Sequence, residues 1–204
     1  MAKKVIIIGA GGHAKVIADI VFCAGDELVG FLDDDDDKQG SLVFKEYKVL
    51  GKVSDAEKYK DCYFVVAIGD NHMRAKIAGS LNVKYYTAIH PRATIADTVK
   101  IGVGSVVMAG TVINVDTVIG EHCIINTGVT VDHDCVVGGF VHISPGAHLA
   151  GTVTVGDYSW VCIGASVINN IDIASDVVVG AGGVVISDIT EAGTYVGVPA
   201  RRLG

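Results

Sequence analysis

The second half of the chain repeats one pattern that few folds can accommodate. From Ile89 to Val185, every sixth residue is Ile, Val or Leu, through seventeen consecutive positions without an exception. The residue four places after each aliphatic is small or branched, as at Ser105 and Cys123, and the residue directly after it is often Gly, as at Gly120. A helix repeats its apolar face about every 3.6 residues and a strand every 2, so neither explains this period. The period instead indicates a short unit that stacks on copies of itself.

A six-residue unit of this kind predicts a parallel β-helix. Each unit forms one short strand and one turn, and three units, or 18 residues, complete one triangular coil. The aliphatic residue points into the prism, the small residue fills the corner, and Gly or Asn permits a turn with positive φ. We therefore predict that residues 87–204 form a left-handed parallel β-helix of a little over five coils together with its C-terminal tail.

Residues 1–86 predict a different fold, an α/β Rossmann-like half-domain. Lys4–Ile8 is an apolar run typical of a buried strand, and the Gly-rich segment Gly9–Ala14 follows it directly. An apolar stretch with helical spacing comes next, and Leu28–Leu32 then reads as a second strand that ends in Asp33 and Asp34. Strand, Gly-rich turn, helix, strand and acid in this order are typical of a nucleotide-binding βαβ unit.

This Gly-rich turn allows two kinds of ligand. Glycines let the backbone approach a phosphate, and the N-terminus of the next helix favours negative charge. Taken alone, the segment Gly9–Ala14 fits the NAD fingerprint and leaves an NAD-dependent oxidoreductase as an alternative. A domain of this length, however, provides only one of the two halves that a dinucleotide usually requires. A mononucleotide or a nucleotide sugar is therefore the preferred ligand.

Charge and cysteine content exclude several classes of partner. The formal net charge is −7, and between Ile101 and Ala200 there are nine Asp or Glu residues and no Lys or Arg, which argues against nucleic-acid binding. We expect no signal peptide, because Val5–Ala10 is too short, and no membrane span, because the uncharged stretch Val136–Gly156 contains His and Pro. Five cysteines without a CxxC pair are expected as buried thiols in a cytoplasmic protein.

Several segments together resemble one known family. GAGGHAKVIADI, FLDDD, VVAIGDN, INTGVTVDHDCVVGGFVHISPGAHLAG and VGVPARRL resemble the sialic acid O-acetyltransferase-like family of hexapeptide-repeat sugar acyltransferases. Within it, the chain is most similar to the branch that N-acetylates UDP-linked 4-amino sugars in bacterial protein glycosylation. The resemblance covers essentially the whole chain. It implies an acetyl-CoA-dependent, metal-free acetyltransferase that is a homotrimer with active sites between its subunits.

The resemblance also implies a catalytic pair. Acetyl transfer from a thioester to an amine needs a base that removes a proton and a donor that stabilises the developing oxyanion. In the family, the His of an H-[DE]-C motif is the base and the adjoining acid supports it, which here means His133 and Asp134. This chain has Asp where the closest branch has Glu. Direct attack by the sugar amine on acetyl-CoA is expected, without an acyl-enzyme.

The resemblance implies a nucleotide-sugar site and a contact of His142 with acetyl-CoA, and the charge pattern suggests the rest of the acetyl-CoA site. The residues expected to bind the nucleotide sugar are Gly11, Gly12, His13, Asp33, Asp34 and Gly69. Those expected to contact acetyl-CoA are His142, Gly151, Ile163 and Ala181. Because no cation lies between Lys100 and Arg201, turn amides are expected to hold much of the cofactor, with Arg201 or Arg202 near a phosphate. The other histidines, His72, His90, His122 and His148, are expected at the surface. The spacing of His122, His142 and His148 matches no zinc site.

Three alternatives remain open from the sequence. The first alternative is an O-acetyltransferase that acts on sialic acid or a related sugar. The second is the NAD-dependent oxidoreductase mentioned above, and the third is a non-catalytic trimeric scaffold. A scaffold would have no use for the pair His133 and Asp134.

Overall fold

A computed structural model describes residues 2–204 and divides the chain into two compact units, Met1–Pro91 and Arg92–Gly204. The sequence had placed the boundary slightly earlier, after residue 86. Tyr86 and Ala88 are both buried, and the Tyr86 hydroxyl donates a hydrogen bond of 2.6 Å to Asp26 Oδ2.

The first unit is an α/β sheet with two helices. Its strands are β1 (Lys4–Ile8), β2 (Glu27–Leu32), β3 (Leu42–Phe44), β4 (Tyr47–Gly51), β5 (Tyr63–Val66), β6 (Lys84–Tyr85) and β7 (Ala88–Ile89), its α-helices are α1 (Gly12–Cys23) and α2 (Asn71–Ser80), and its 3₁₀ helices are Asp36–Lys38 and Val53–Lys58. The sheet order is β3-β4-β2-β1-β5-β6. Neighbouring strands run parallel except β3 and β4, which are antiparallel.

Strand β1 lies at the centre of this sheet and positions the Gly-rich turn. Val5, Ile6, Ile7 and Ile8 are fully buried, as expected for a central parallel strand that is covered on both faces. The chain passes from β1 to β2 on one side, whereas β5 pairs with β1 on the other. The carboxyl ends of β1, β2 and β5 therefore meet at one edge, at the kind of switch point where open α/β sheets bind ligands.

The second unit consists of strands that are mostly two residues long. They are β8 (Thr94–Ile95), β9 (Lys100–Ile101), β10 (Val106–Val107), β11 (Val112–Ile113), β12 (Val118–Ile119), β13 (Ile124–Ile125), β14 (Thr130–Val131), β15 (Val136–Val137), β16 (His142–Ile143), β17 (His148–Leu149), β18 (Thr154–Val155), β19 (Trp160–Val161), β20 (Ser166–Val167), β21 (Asp172–Ile173), β22 (Val177–Val179), β23 (Val184–Val185), β24 (Gly193–Val196) and β25 (Arg201–Arg202). Face 1 has the order β10-β13-β16-β19-β22-β24-β25, face 2 β8-β11-β14-β17-β20-β23, and face 3 β9-β12-β15-β18-β21. This is the predicted left-handed parallel β-helix.

The repeating aliphatic residues fill the interior of the prism. Val107, Ile125 and Ile143 are each at most 1% exposed and stack in register along face 1. Buried hydroxyls at the corners are satisfied internally. The Thr117 hydroxyl, for example, donates to the carbonyl oxygen of Asp132 at 2.7 Å. The sequence pattern therefore predicts both which residues point inward and how the coils stack.

The three corners of the prism differ in the residues that have positive φ. At corner 1–2, which joins face 1 to face 2, Gly occupies this position in five successive coils, at Gly110, Gly128, Gly146, Gly164 and Gly182. At corner 2–3 it is occupied by Asp116, Asp134, Thr152 and Asn170, and at corner 3–1 by Gly104, His122, Phe140, Tyr158 and Asp176. The expectation of Gly or Asn is thus met at corner 1–2, whereas the other two corners carry larger side chains. No helix among residues 2–204 is long and apolar enough to cross a membrane.

Candidate active site

His133 and Asp134 form a hydrogen-bonded pair at corner 2–3. They lie in the turn between β14 and β15, and both side chains are more than half exposed. Nδ1 of His133 lies 2.7 Å from Oδ2 of Asp134. The side chain of Asp is shorter than that of Glu, yet the Asp134 carboxylate reaches the imidazole ring. Asp134 has the left-handed backbone conformation, with φ of 57°. The turn therefore presents a His–carboxylate pair to solvent.

The electrostatics of this pair suit a proton acceptor. The hydrogen bond that His133 donates to Asp134 raises the pKa of His133, desolvation opposes this effect, and the charge of Asp132 raises the pKa further. In neutral His133, an Nδ1–H that donates to Asp134 places the lone pair on Nε2. No hydrogen bond within residues 2–204 uses Nε2. The free ring nitrogen is thus available to accept a proton from a substrate.

The turn that carries His133 is tied to the preceding coil. Asp132 Oδ1 accepts hydrogen bonds of 2.8 Å from the His133 N–H and from Asn114 Nδ2. The buried Thr117 hydroxyl donates to the carbonyl oxygen of Asp132 at 2.7 Å and accepts a hydrogen bond from the Cys135 N–H at 3.3 Å. Both ends of the turn are therefore bonded to the coil before it.

Gly151 lies against the imidazole ring of His133 on the following coil. A Cβ atom added to Gly151 would be 2.7 Å from both Cε1 and Nε2 of His133. This is well inside ordinary van der Waals contact, so no larger residue fits here without moving the ring. Gly151 is expected from the sequence to contact acetyl-CoA, and in the structure it lies beside the expected base.

The other residues expected to contact acetyl-CoA lie elsewhere on the β-helix. Ile163 and Ala181 occupy equivalent positions of corner 1–2 on successive coils, and the Ile163 side chain is 58% exposed. His142 lies on face 1, where its ring stacks on Trp160 at 5.4 Å between centroids. Within one chain these residues are thus not at the corner that carries His133 and Gly151.

Gly11, Gly12 and His13 lie where β1 leads into α1. Gly11 is the N-cap of the helix and Gly12 its first residue, and no other atom lies within 4 Å of a Cβ added to either. The His13 Nε2 is buried without a hydrogen-bond partner. Burial lowers the pKa of His13 to about 4, and the positive charge of Arg74 adds to this effect. His13 is therefore neutral at pH 7.

Asp33 and Asp34 are engaged in hydrogen bonds within the first unit. Asp33 Oδ2 accepts from the Ala10 N–H at 2.7 Å and from Lys38 Nζ at 3.2 Å, and its Oδ1 accepts from the Asp35 N–H at 3.0 Å. Desolvation acts to raise the pKa of Asp33, but these hydrogen bonds outweigh it and the pKa is lowered. Asp34 Oδ1 accepts from the backbone N–H of residue 53 at 2.9 Å. Asp33 thus braces the Gly-rich turn.

Comparisons with known proteins agree with both units. The family model of the PglD N-terminal domain matches residues 4–81. The acetyltransferase domain of PglB from Neisseria gonorrhoeae FA1090, solved in complex with acetyl coenzyme A, is 38% identical, with a TM-score of 0.91 and coverage of 100% of both chains. PerB from Caulobacter crescentus, solved in complex with CoA and GDP-perosamine, is also 38% identical, with a TM-score of 0.91 and coverage of 100% of this chain and 99% of PerB. The chain belongs to the hexapeptide-repeat family of sugar N-acetyltransferases.

Two further relatives of this acyltransferase differ in coverage. WeeI from Acinetobacter baumannii AYE is 27% identical, with a TM-score of 0.89, and the match covers 99% of this chain and 100% of WeeI. Uncharacterized protein L142 of Acanthamoeba polyphaga mimivirus is 37% identical over 86 residues, which is 42% of this chain. That match spans only 17% of the viral protein, so it adds a sequence likeness over part of the chain.

Sequence reasoning missed one buried charge in this acyltransferase. Arg74 is only 1% exposed. Its Nη1 donates to the carbonyl oxygens of Ile68 at 2.9 Å and Gly69 at 3.2 Å, and its Nη2 donates to Asn71 Oδ1 at 2.7 Å. Arg74 therefore fixes the loop that contains Gly69, beside the Gly-rich turn. No signal in the sequence marks it, because a single Arg on a helix is usually exposed.

The remaining candidate residues have different outcomes. Arg202 donates to Glu191 at 2.6 Å, whereas Arg201 donates to the adjacent Ala200 carbonyl. Arg201 is thus the arginine of the two that is not engaged by a carboxylate in residues 2–204. The expectation of surface histidines is wrong for His90 and His122, which are buried. His122 stacks on an aromatic ring of the following coil.

Proposed function

We propose that this chain transfers the acetyl group of acetyl-CoA to the 4-amino group of a UDP-linked amino-dideoxy or trideoxy sugar, with His133 as general base. The reaction belongs to bacterial glycan biosynthesis in the cytoplasm. The observation that carries the proposal is the hydrogen-bonded pair of His133 and Asp134 at the surface of a β-helix. The pair leaves Nε2 of His133 free to accept a proton. The family relation supports it, because PerB is described as bound to CoA and a nucleotide-linked sugar.

Each residue of the pair has one task in direct transfer. As the sugar nitrogen forms its bond to the acetyl carbon, Nε2 of His133 accepts the proton that the nitrogen loses. Asp134 accepts the hydrogen bond from Nδ1–H and stabilises the imidazolium that forms. His133 then returns the proton to the departing thiolate. Cys123 and Cys135 are buried in the prism, and the mechanism does not use them as nucleophiles.

Corner 1–2 provides groups that suit the amide-rich arm of acetyl-CoA. Within residues 2–204, no hydrogen bond uses the backbone N–H of Ile163 or of Ala181. Gly164 and Gly182 leave open space beside them, with no other atom within 4 Å of an added Cβ. Free amides at successive coils match a chain of carbonyl groups, and Arg201 offers a charge for a phosphate. His142 borders this region on face 1.

A homotrimer would bring these groups to the base. His133 and Gly151 lie at corner 2–3, whereas Ile163 and Ala181 lie at corner 1–2. Within one subunit the two groups are therefore apart. When corner 2–3 of one subunit faces corner 1–2 of the next, both sets border one site. Exposed valines lie at the same corner and on face 3, at Val115, Val118 and Val136. A second subunit would remove this apolar surface from water.

In the first unit, the edge formed by Gly11, Gly12, His13 and Gly69 is the proposed nucleotide-sugar site. The N–H groups at the start of α1 and the helix dipole favour a diphosphate. Neutral His13 can donate or accept a hydrogen bond there without a net charge. Asp33 would act by holding the turn in place. Because PerB is bound to GDP-perosamine, a GDP-linked 4-amino sugar is the second candidate substrate.

The proposal is tested by measuring thiol release from acetyl-CoA with a panel of acceptors. The panel contains UDP-linked and GDP-linked 4-amino-4,6-dideoxy sugars and free or CMP-linked sialic acid, with wild type and His133→Ala side by side. We expect turnover of a UDP-linked amino sugar that is lost in His133→Ala. Turnover of only the GDP-linked sugar would assign GDP instead of UDP as the nucleotide of the substrate. Turnover of sialic acid would assign O-acetylation as the reaction. Full activity of His133→Ala would refute the assignment of the base.

A further inference from the structure

The backbone of His133 is held by a short chain of hydrogen bonds that begins on the preceding coil. Asn114 Nδ2 donates to Asp132 Oδ1 at 2.8 Å, and the His133 N–H donates to the same oxygen at 2.8 Å. Asn114 occupies the same corner position as Asp132, 18 residues earlier. One carboxylate oxygen therefore connects the residue that carries the imidazole to the neighbouring coil.

We propose that Asn114 and Asp132 are positioning residues that fix the direction of the His133 imidazole for proton transfer. The inference rests on the proposed role of His133 as general base. Backbone hydrogen bonds already join this turn to its neighbouring coils, from the Asp134 N–H to the Val115 carbonyl oxygen at 3.1 Å and from the Thr152 N–H to the His133 carbonyl oxygen at 2.9 Å. Asp132 adds a side-chain contact to the preceding coil, through Asn114, directly at the residue that carries the imidazole.

A second hydrogen bond between coils at the same corner serves as a comparison for the bond between Asn114 and Asp132. The Asp116 N–H donates to Thr98 Oγ1 at 2.8 Å, also across 18 residues, but one coil earlier and with no contact to His133. That bond joins coils in the same way as Asn114 and Asp132. It therefore separates a general role in stacking from a role in positioning the base.

The charge of Asp132 gives the proposal a second, independent readout. The hydrogen bond to Asp134 is the largest cause that raises the pKa of His133, desolvation opposes it, and the charge of Asp132 raises the pKa further. Hydrogen bonds from Asn114 and from the His133 N–H lower the pKa of Asp132, so it is ionised at pH 7. Replacing Asp132 by Asn keeps the accepting oxygen but removes this charge.

The test compares kcat, KM and pH profiles of four variants. Asp132→Ala and Asn114→Ala are expected to lower kcat by about tenfold or more, because a misplaced base loses its near-attack geometry. KM for acetyl-CoA is expected to stay within about twofold, since neither residue is at corner 1–2. Asp132→Asn is expected to recover most of kcat and to shift the acid limb of the profile to lower pH. Thr98→Ala is the matched control and is expected to behave as wild type.

Several outcomes would overturn the inference, and they are distinct from failure of the proposed function. A kcat of Asp132→Ala and Asn114→Ala close to wild type, with an inactive His133→Ala, would refute the positioning role alone. An equal loss of kcat in Thr98→Ala would show that any broken bond between coils has this effect. An active His133→Ala would refute both proposals. If Asp132→Ala fails to fold, Asn114→Ala and Asp132→Asn carry the same comparison.

Discussion

Replacing Gly151 by Ala should disable the base while leaving the fold intact. The new Cβ would lie 2.7 Å from Cε1 and Nε2 of His133, whereas carbon atoms in contact are about 3.5–4.0 Å apart. The imidazole must therefore move by roughly 1 Å, and a misplacement of that size costs about 100-fold in rate. We expect kcat of Gly151→Ala to fall by about two orders of magnitude.

The stability of Gly151→Ala should change little. Gly151 has no left-handed φ, and the atoms it would displace belong to a half-exposed side chain that is free to move. A Gly→Ala change at such a position stabilises a protein by about 0.4–1 kcal/mol, because it lowers the conformational entropy of the unfolded chain. The effect on the melting temperature is thus expected to be small.

The measurement is steady-state kinetics on Gly151→Ala, with Gly139→Ala as the matched control. At Gly139 an added Cβ would meet its nearest atoms at 3.8 Å, so this variant should keep the wild-type kcat. A wild-type kcat in Gly151→Ala would refute the argument that the ring of His133 must stay where it is. A raised KM for acetyl-CoA with unchanged kcat would instead show that Gly151 acts through cofactor binding.

Three further predictions follow from the same contacts. Asp134→Asn should lower the pKa of His133. Because the base must be unprotonated to act, the acid limb of the pH–rate profile should then shift to lower pH. Asp116→Asn, at the equivalent position one coil earlier, is the control and should leave the profile unchanged. Gly9→Ala should destabilise the chain by about 2 kcal/mol in urea unfolding, because Gly9 has φ of 101° and an added Cβ would be 2.9 Å from Ile68. Ile125→Ala should cost about 2–5 kcal/mol by the same measurement, since Ile125 is fully buried in the prism.

The β-helix could be predicted from the sequence because its geometry assigns the same role to every sixth residue. An inward position such as Ile125 or Ile143 tolerates only an apolar side chain in each coil, so the pattern is regular enough to be read directly. The first unit was predicted for a similar reason, since β1 is apolar on both faces and leads into glycines. The catalytic candidates His133 and Asp134 came from the family resemblance, and the geometry shows that their side chains contact each other.

Other features depend on tertiary contacts that a linear pattern does not contain. The carboxylate of Asp33 is engaged with the Ala10 N–H, 23 residues away, and Arg74 is buried although helix patterns place most arginines outside. The separation of Gly151 from Ile163 and Ala181 was, in contrast, present in the repeat. Residues at one corner position differ by a multiple of 18, as His133 and Gly151 do, whereas His133 and Ile163 do not.

The residue at position 134 shows how a corner can be used for chemistry. Five successive coils have Gly at the positive-φ position of corner 1–2, where Gly has no steric cost. Corner 2–3 has Asp134 in the same conformation. This conformation costs most residues about 1–2 kcal/mol, and it costs Asp less. Gly at this position would relieve the strain, but it would remove the carboxylate that bonds to His133 Nδ1. A short acid in a left-handed turn thus satisfies both the backbone and the base.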